Sequence, residues 1–228
     1  KDLTTGIITN LTNTGNGTNE RWPNWSSDGT KIVYNKRIGK NNLDIWVMNA
    51  DGSSPRYVAG LQGAGKFAED CCASFTTDNS SVVFASTRAG NFNIYCYNLA
   101  NLPATQMTGV AARLKQLTSR PLYEGTPAVE ATGTVVYRYG GDQKIYRLDP
   151  FGSSTQRAQQ IVTAGQIRTP QGSPDGTKLL FGWRVNEVSQ LDIMISDVNG
   201  ANIVNLTDTP GLSETDPAMQ PLPLSPAE

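Results

Sequence analysis

The sequence predicts an all-β protein, a β-propeller built of four-stranded antiparallel blades, and three observations predict it. The first is a repeated sentence. Pro23-Asn24-Trp25-Ser26-Ser27-Asp28-Gly29-Thr30-Lys31-Ile32-Val33-Tyr34 opens one copy, and Pro170-Gln171-Gly172-Ser173-Pro174-Asp175-Gly176-Thr177-Lys178-Leu179-Leu180-Phe181 opens another. Ala73 to Phe84 and Pro127 to Tyr137 are weaker copies, and Asp216-Pro217-Ala218-Met219 begins a fifth. From the anchor Pro23 through Ala73, Pro127, Pro170 and Pro217 the spacings are 50, 54, 43 and 47 residues. A period of that size belongs to propellers and solenoids. The second observation is that each repeat holds four short apolar runs separated by turn residues. The third is that no helical period is sustained, which disfavours helical solenoids.

Residues 20 to 60 show the unit. Glu20 to Trp25 is a short strand that ends in the turn Ser26-Ser27-Asp28-Gly29. Asp-Gly between apolar runs marks a hairpin, because Gly tolerates positive φ and Asp bonds the local backbone. Lys31 to Lys36 is the second strand, Leu43 to Asn49 the third and Arg56 to Ala59 the fourth. The second strand recurs as Val82-Val83-Phe84, Val135-Val136-Tyr137 and Leu179-Leu180-Phe181. The third recurs at Asn93 to Tyr97, Lys144 to Leu148 and Asp192 to Ser196; the fourth at Leu114 to Thr118, Gln160 to Thr163 and Ile203 to Thr207. Four such strands make a propeller blade, so blades are expected at about 20–60, 70–118, 123–164 and 167–207.

The ends add a partial blade. Gly6 to Thr12 resembles the fourth strand Ile203 to Thr207, and Ser213 to Gln220 supplies a first strand, so 6–12 and 213–220 each contribute one strand. An open ring exposes sheet edges, so four complete blades plus a partial one suggest a segment of a larger propeller, whose missing strands a neighbouring subunit could supply by strand addition. Pro221, Pro223 and Pro226 make 221–228 a Pro-rich tail, unsuited to a central strand.

The chain has 228 residues, and the repeat favours one domain over 1–220. With 19 basic and 20 acidic residues the net charge is −1, so nucleic-acid binding has no electrostatic footprint. No apolar run reaches the ~18 residues of a membrane span. The absence of a start Met or leader suggests a mature chain or a cut segment. Only 17% of residues are charged, a polar but weakly charged balance that suits an exported protein of the periplasm or the extracellular cell surface. Five Asn-x-Ser/Thr sequons stand at Asn10, Asn16, Asn24, Asn79 and Asn205. A Ser/Thr/Asn-rich chain generates such triplets by composition, and they matter only in a source that glycosylates.

Histidine is absent. That removes most general-base chemistry near neutral pH, and every His-containing triad or metal site. The three cysteines are Cys71, Cys72 and Cys96, and no C-x-x-C pair suggests zinc. First and third strands of a sheet lie about 10 Å apart, too far for a bridge that needs Cα atoms within about 7 Å. Buried free thiols are expected, with vicinal or intermolecular pairing as alternatives.

The turn Ser173 to Lys178, the third-strand pattern Asp44-Ile45-Trp46-Val47-Met48-Asn49-Ala50-Asp51-Gly52 and the ending Asn205-Leu206-Thr207 resemble the PD40 (WD40-like) repeat of TolB-like β-propellers. The resemblance runs from about residue 6 to 220. It weakens in repeat two, where Thr76-Thr77-Asp78-Asn79 replaces the turn, and in repeat three, where Glu130-Ala131-Thr132-Gly133 does. Such repeats occur in periplasmic TolB, in propellers of tricorn-like and prolyl-oligopeptidase-like peptidases, in pectate-fragment lyases and in surface proteins. This chain lacks a Gly-x-Ser-x-Gly elbow and room for a hydrolase domain. It lacks the histidines of the lyases and the N-terminal α/β domain of TolB. The resemblance therefore implies a non-catalytic exported propeller serving protein binding or cell-envelope assembly. The alternative is a propeller module of a larger enzyme, as a peptidase gate or a glycan-active propeller.

Candidate site residues follow from the anchor. Three residues before each anchor position stand Glu20, Asp70, Glu124, Ile167 and Glu214. At the start of a propeller's innermost strand, four acids of five would ring one mouth of the central channel. Converging carboxylates attract a cation or a partner's basic groups, so a channel-mouth divalent cation such as calcium is the one cofactor considered, beside none. Arg21 and Arg168 could neutralise part of the ring, and solvated or turn-bonded acids are the plainer reading. The turns Asn49 to Gly52 and Asp197 to Gly200 match a calcium loop at only two ligand positions, so they read as hairpin turns. Trp25 aligns with Phe75 and Val129, and Trp46 with Tyr95 and Tyr146, as packing positions; Trp22 is the aromatic expected to be exposed for contact.

Overall fold

The computed structural model describes residues 2, 4–38, 43–59, 68–100, 113–152, 158–162, 165–184 and 189–218. Its four sheets are four-stranded antiparallel blades. Blade 1 holds β1 (Thr18–Trp25), β2 (Lys31–Ile38), β3 (Leu43–Asn49) and β4 (Arg56–Ala59). Blade 2 holds β5 (Asp70–Phe75), β6 (Ser81–Ser86), β7 (Asn93–Asn98) and β8 (Leu114–Gln116). Blade 3 holds β9 (Glu124–Val129), β10 (Val135–Tyr139), β11 (Lys144–Leu148) and β12 (Gln159–Val162). Blade 4 holds β13 (Gln166–Gly172), β14 (Lys178–Arg184), β15 (Asp192–Asp197) and β16 (Val204–Asn205). In every blade strand order follows sequence order, as in a propeller.

The recurring turn explains the hairpin between the first two strands. In blade 1 Asp28 Oδ1 accepts from the Ser26 hydroxyl (2.6 Å), the Thr30 N–H (2.9 Å) and the Thr30 hydroxyl (2.9 Å). In blade 4 Asp175 Oδ1 repeats this with Ser173 (2.5 Å) and Thr177 (3.0 and 2.8 Å). The weaker copies reach the same turn with other groups. Blade 2 uses Thr76 and Asp78, with Asn79 at φ 57° where blade 1 has Gly29 at 69°, since Asn also visits the left-handed region. In blade 3 Glu130 accepts from Thr134 beside Gly133 at φ 86°.

Side-chain alternation stacks the blades. Val82 and Phe84 of β6 face blade 1, in a seam with Val33, Ile45 and Val47. Val83 and Ala85, one residue out of phase, face blade 3 beside Val135 and Tyr137. Successive strand residues point to opposite faces, so a strand between two blades must be apolar on both, and all six residues of β6 are buried. A third seam joins Val136, Ile145 and Val162 of blade 3 to Ile167, Leu179, Phe181 and Met194 of blade 4.

Two expectations are corrected at the ends. Trp25 was expected in a packed seam, yet it is 61% exposed. Its slot faces the preceding blade, and among the described residues no blade precedes blade 1. Residues 6–12 and 213–218 form no strand, because neither segment finds a partner strand among the described residues. Leu11 instead packs against Ile32, Tyr34, Met48 and Trp46 on the outer face of blade 1. Gly52 permits this: a Cβ there would stand 2.5 Å from the Leu11 carbonyl oxygen. Residues 221–228, expected as a Pro-rich tail, lie outside the described residues.

Candidate functional site at the channel mouth

The innermost strands β1, β5, β9 and β13 share one local geometry. The position three residues before the anchor lies at or within two residues of each strand's start, opposite the last residues of its blade's second strand: Glu20 pairs with Lys36, Asp70 with Ser86, Glu124 with Tyr139 and Ile167 with Trp183. Two residues later the chain turns left-handed, at Trp22 (φ 50°), Cys72 (60°), Thr126 (50°), Thr169 (42°) and Asp216 (55°). In all four blades this residue lies in a β-bulge. A positive φ is uncommon for such side chains, and a following proline normally disfavours it. The repeat therefore encodes a strained bulge where the first strand enters the channel, a place where such bulges re-aim side chains.

Hydrogen bonds sew three of these positions to the preceding blade. The Glu124 N–H donates to Phe92 O (2.8 Å), Ile167 N–H to Gln143 O (3.1 Å) and Glu214 N–H to Leu191 O (2.8 Å). Each acceptor immediately precedes a third strand. Glu214 thus begins a fifth repeat in register, though no sheet follows it among the described residues.

The four acids have different surroundings. Asp70 is fully buried, and Arg88 donates to both its oxygens at 2.9 and 3.1 Å. The Arg88 guanidinium also lies over Tyr95 (4.9 Å) and Phe84 (5.3 Å). Glu124 is fully buried, accepts from the Arg120 N–H (3.1 Å) and stands 4.0 Å from the Arg120 guanidinium, which covers Tyr146 and Tyr139. Burial pushes both carboxyls above their usual range, against the pull of their arginines. Glu20 is partly exposed and accepts from the Thr14 hydroxyl (2.8 Å). Glu214 is partly exposed and accepts from the Thr207 hydroxyl (3.3 Å).

Arg88, Arg120 and Arg138 were not singled out from sequence, which named only Arg21 and Arg168, and their placement makes the four positions unequal. Beside the Ile167 slot, Arg138 lies over the Tyr123 ring at 5.4 Å and donates to Gln143. Burial, together with the like charges of Arg168 and Arg184, draws its pKa down. Arg184 donates to Gln166 (2.7 Å). The four acid positions therefore differ: Asp70 and Glu124 lie beside arginines, Glu20 and Glu214 accept from threonine hydroxyls, and Arg138 is joined near Ile167 by the like charges of Arg168 and Arg184. Arg88 stands 18 residues after Asp70 and Arg120 four residues before Glu124, offsets too different to read as a motif.

Among the described residues no three His, Cys, Asp or Glu side chains are grouped to hold a metal ion. Asp51 is used by Ser53, and Asp197 by Lys178 and Asn202, as turn residues. Trp22 is 46% exposed. Trp46 meets Tyr57 edge-on at 5.8 Å, and Trp183 packs against the blade 3–4 seam. A cleft of about 530 Å³ lies at the opposite end of β2 and β3, lined by Lys31, Met48 and Arg56 among others. None of the acid positions lines it. No helix among the described residues is long and apolar enough to cross a membrane.

No family model and no curated protein matches the sequence. Solved structures do match. TolB from Acinetobacter baumannii superposes with TM-score 0.66 at 22% identity, over 90% of this chain and 47% of that one. A protein described as TolB from Agrobacterium tumefaciens gives TM-score 0.63 at 17% identity, over 80% and 64%. A puromycin-hydrolyzing peptidase from Mycobacterium tuberculosis gives 0.58 at 14% identity, over 83% and 29%. The fold is that of a β-propeller, similar to the propeller of these TolB structures. The chain spans less than two thirds of the length of each of these structures.

Proposed function

We propose that this chain is a non-catalytic, exported propeller that binds a protein partner at the β1 side of its channel mouth. The observation that carries the reading is the exposure of Trp22 and Trp25 on one inner strand, flanked by Arg21 and the partly exposed Glu20. Tryptophan and arginine dominate the energetics of protein interfaces, and both are enriched there over the rest of a protein surface. The packed blades supply rigidity, so the partner meets a preformed surface. Glu20 and Glu214 favour a basic group on that partner, or a divalent cation such as calcium bridging to it. The low charged fraction supports a place in the periplasm or at the cell surface.

The test is a titration of the purified chain against a partner captured from its native source. Replacing Trp22 and Trp25 by Ala, together with Glu20→Ala, should leave the unfolding midpoint nearly unchanged and weaken binding at least tenfold. Unchanged affinity would remove the reading.

A second reading has the chain as the propeller of a larger enzyme. The likeness to the peptidase from Mycobacterium tuberculosis, of which it covers 29%, favours it. The full-length reading frame decides between the two, since a hydrolase domain with a nucleophile elbow beside this propeller would favour the enzyme.

A further inference from the structure

Adjacent cysteines in a strand normally diverge, since successive side chains point to opposite faces. Cys71 and Cys72 do not. The left-handed φ of 60° at Cys72 breaks the alternation at the bulge between Cys71 and Ser74, and the two sulfurs stand 3.0 Å apart. The same bulge pairs Arg21 with Trp22, Gly125 with Thr126 and Arg168 with Thr169. Only blade 2 carries two thiols at this point.

We propose that Cys71 and Cys72 are a redox-active vicinal dithiol that closes reversibly to a disulfide by exchange with low-molecular-weight disulfides. Their surroundings divide the roles. Cys72 is partly exposed, while Cys71 is buried among Val83, Ala85 and Ile94 in the seam of blades 2 and 3. A hydrogen bond joins the two sulfurs, and the contacts with Cys71 and the Thr126 backbone draw the Cys72 pKa below its usual range. The contact with Cys72 and burial push the Cys71 thiol up. Cys72 is therefore the attacking thiol and Cys71 the resolving one.

The exchange balances in two steps. The Cys72 thiolate attacks one sulfur of a disulfide RSSR, forming a mixed disulfide and releasing RS⁻. Cys71 then gives up its proton to solvent and attacks Cys72 Sγ, forming the Cys71–Cys72 bond and releasing the second RS⁻. The protein loses two thiol hydrogens and the oxidant becomes two thiols. Cys96 takes no part: it lies on β7, its thiol buried in the same seam and raised by that burial.

The test equilibrates the native protein with oxidised and reduced glutathione at increasing ratios, then quenches with acid and alkylates. A tryptic peptide spanning residues 67–88 holds Cys71 and Cys72 and excludes Cys96. At oxidising ratios that peptide should become about 2 Da lighter than its reduced form, the mass of two hydrogens lost in disulfide formation, while Cys96 stays alkylatable. Cys71→Ser should trap a stable glutathione adduct on Cys72, and Cys96→Ser should change nothing. The proposal is overturned if both thiols of the wild-type peptide remain alkylatable at oxidising ratios. It is equally overturned if the lost hydrogens map to a Cys96 bridge, or if the wild-type protein accumulates the Cys72 adduct without closing. The wild-type measurement stands whether or not the variants fold.

Discussion

Strands β1 and β5 occupy the same slot in successive repeats and meet opposite fates. Both carry an acid near their start, bulge two residues after it and end in an aromatic residue before a four-residue turn. In β5 that aromatic is Phe75, 5% exposed against Val33, Ile45 and Val47 of blade 1. In β1 it is Trp25, 61% exposed. Asp70 is sealed under Arg88, while Glu20 keeps access to solvent. The repeat sets what each slot presents to its neighbour. Only the neighbouring blade decides whether that face becomes core or surface.

The difference can be broken by substitution. Phe75→Ala should destabilise by about 3–5 kcal/mol through lost burial and the cavity left behind. Trp25→Ala at the matching slot should change stability by less than about 1 kcal/mol, as surface substitutions do. Urea unfolding of both variants measures this, and equal losses would show that Trp25 has a covering neighbour in solution.

Arg88→Ala should cost about 3–5 kcal/mol, because it leaves Asp70 as a buried charge without its partner. The exposed pair Arg37–Glu69 at the edge of the same mouth, with N···O 3.4 Å, is the control; Arg37→Ala should cost under about 1 kcal/mol. Adding Asp70→Asn should recover much of the Arg88→Ala loss, and no recovery would mean that the arginine acts through its packing on Phe84 and Tyr95 instead.

The smallest effects lie in the turns, and they separate by pH. Asp28 and Asp175 are held down at about 2 by hydrogen bonds, first from Ser26 and Ser173 and then from Thr30 and Thr177. A depressed carboxyl stabilises above its unfolded pKa of about 4 and loses that contribution as pH falls through about 2. Asn at both positions should therefore flatten the acid limb of stability between about pH 4 and pH 2. Asp70 and Glu124 carry the opposite sign. Burial raises them, so their contribution is complete below about pH 4 and declines as pH rises through their raised values. Asp70→Asn should remove part of that decline, and a pH series of unfolding midpoints distinguishes the two classes.

Much of the architecture was legible because its signals are local. Asp-Gly turns, alternating apolar runs and a period near fifty residues placed third strands Leu43–Asn49 and Lys144–Leu148 at their observed bounds. Trp22 was legible as an exposed residue because it stands outside the repeat's apolar positions. The arginines of the mouth were not legible. Arg88 reaches Asp70 from beyond the end of β6, and Arg120 reaches Glu124 from the loop before β9, so neither shares a conserved offset with its acid. The bulge was hidden for another reason. Nothing in Trp22-Pro23 or Thr126-Pro127 advertises a left-handed backbone, since both residue types and the following proline argue against it.

By itself the sequence determined four blades, the turn chemistry that separates their strands, and the absence of histidine chemistry, because these depend on residues a few positions apart or on composition. The tertiary structure alone decided which acids keep their solvent, which tryptophan is left uncovered and that Cys71 and Cys72 meet. Those outcomes depend on a neighbouring blade about fifty residues away and on a bulge whose backbone angle packing imposes against local preference.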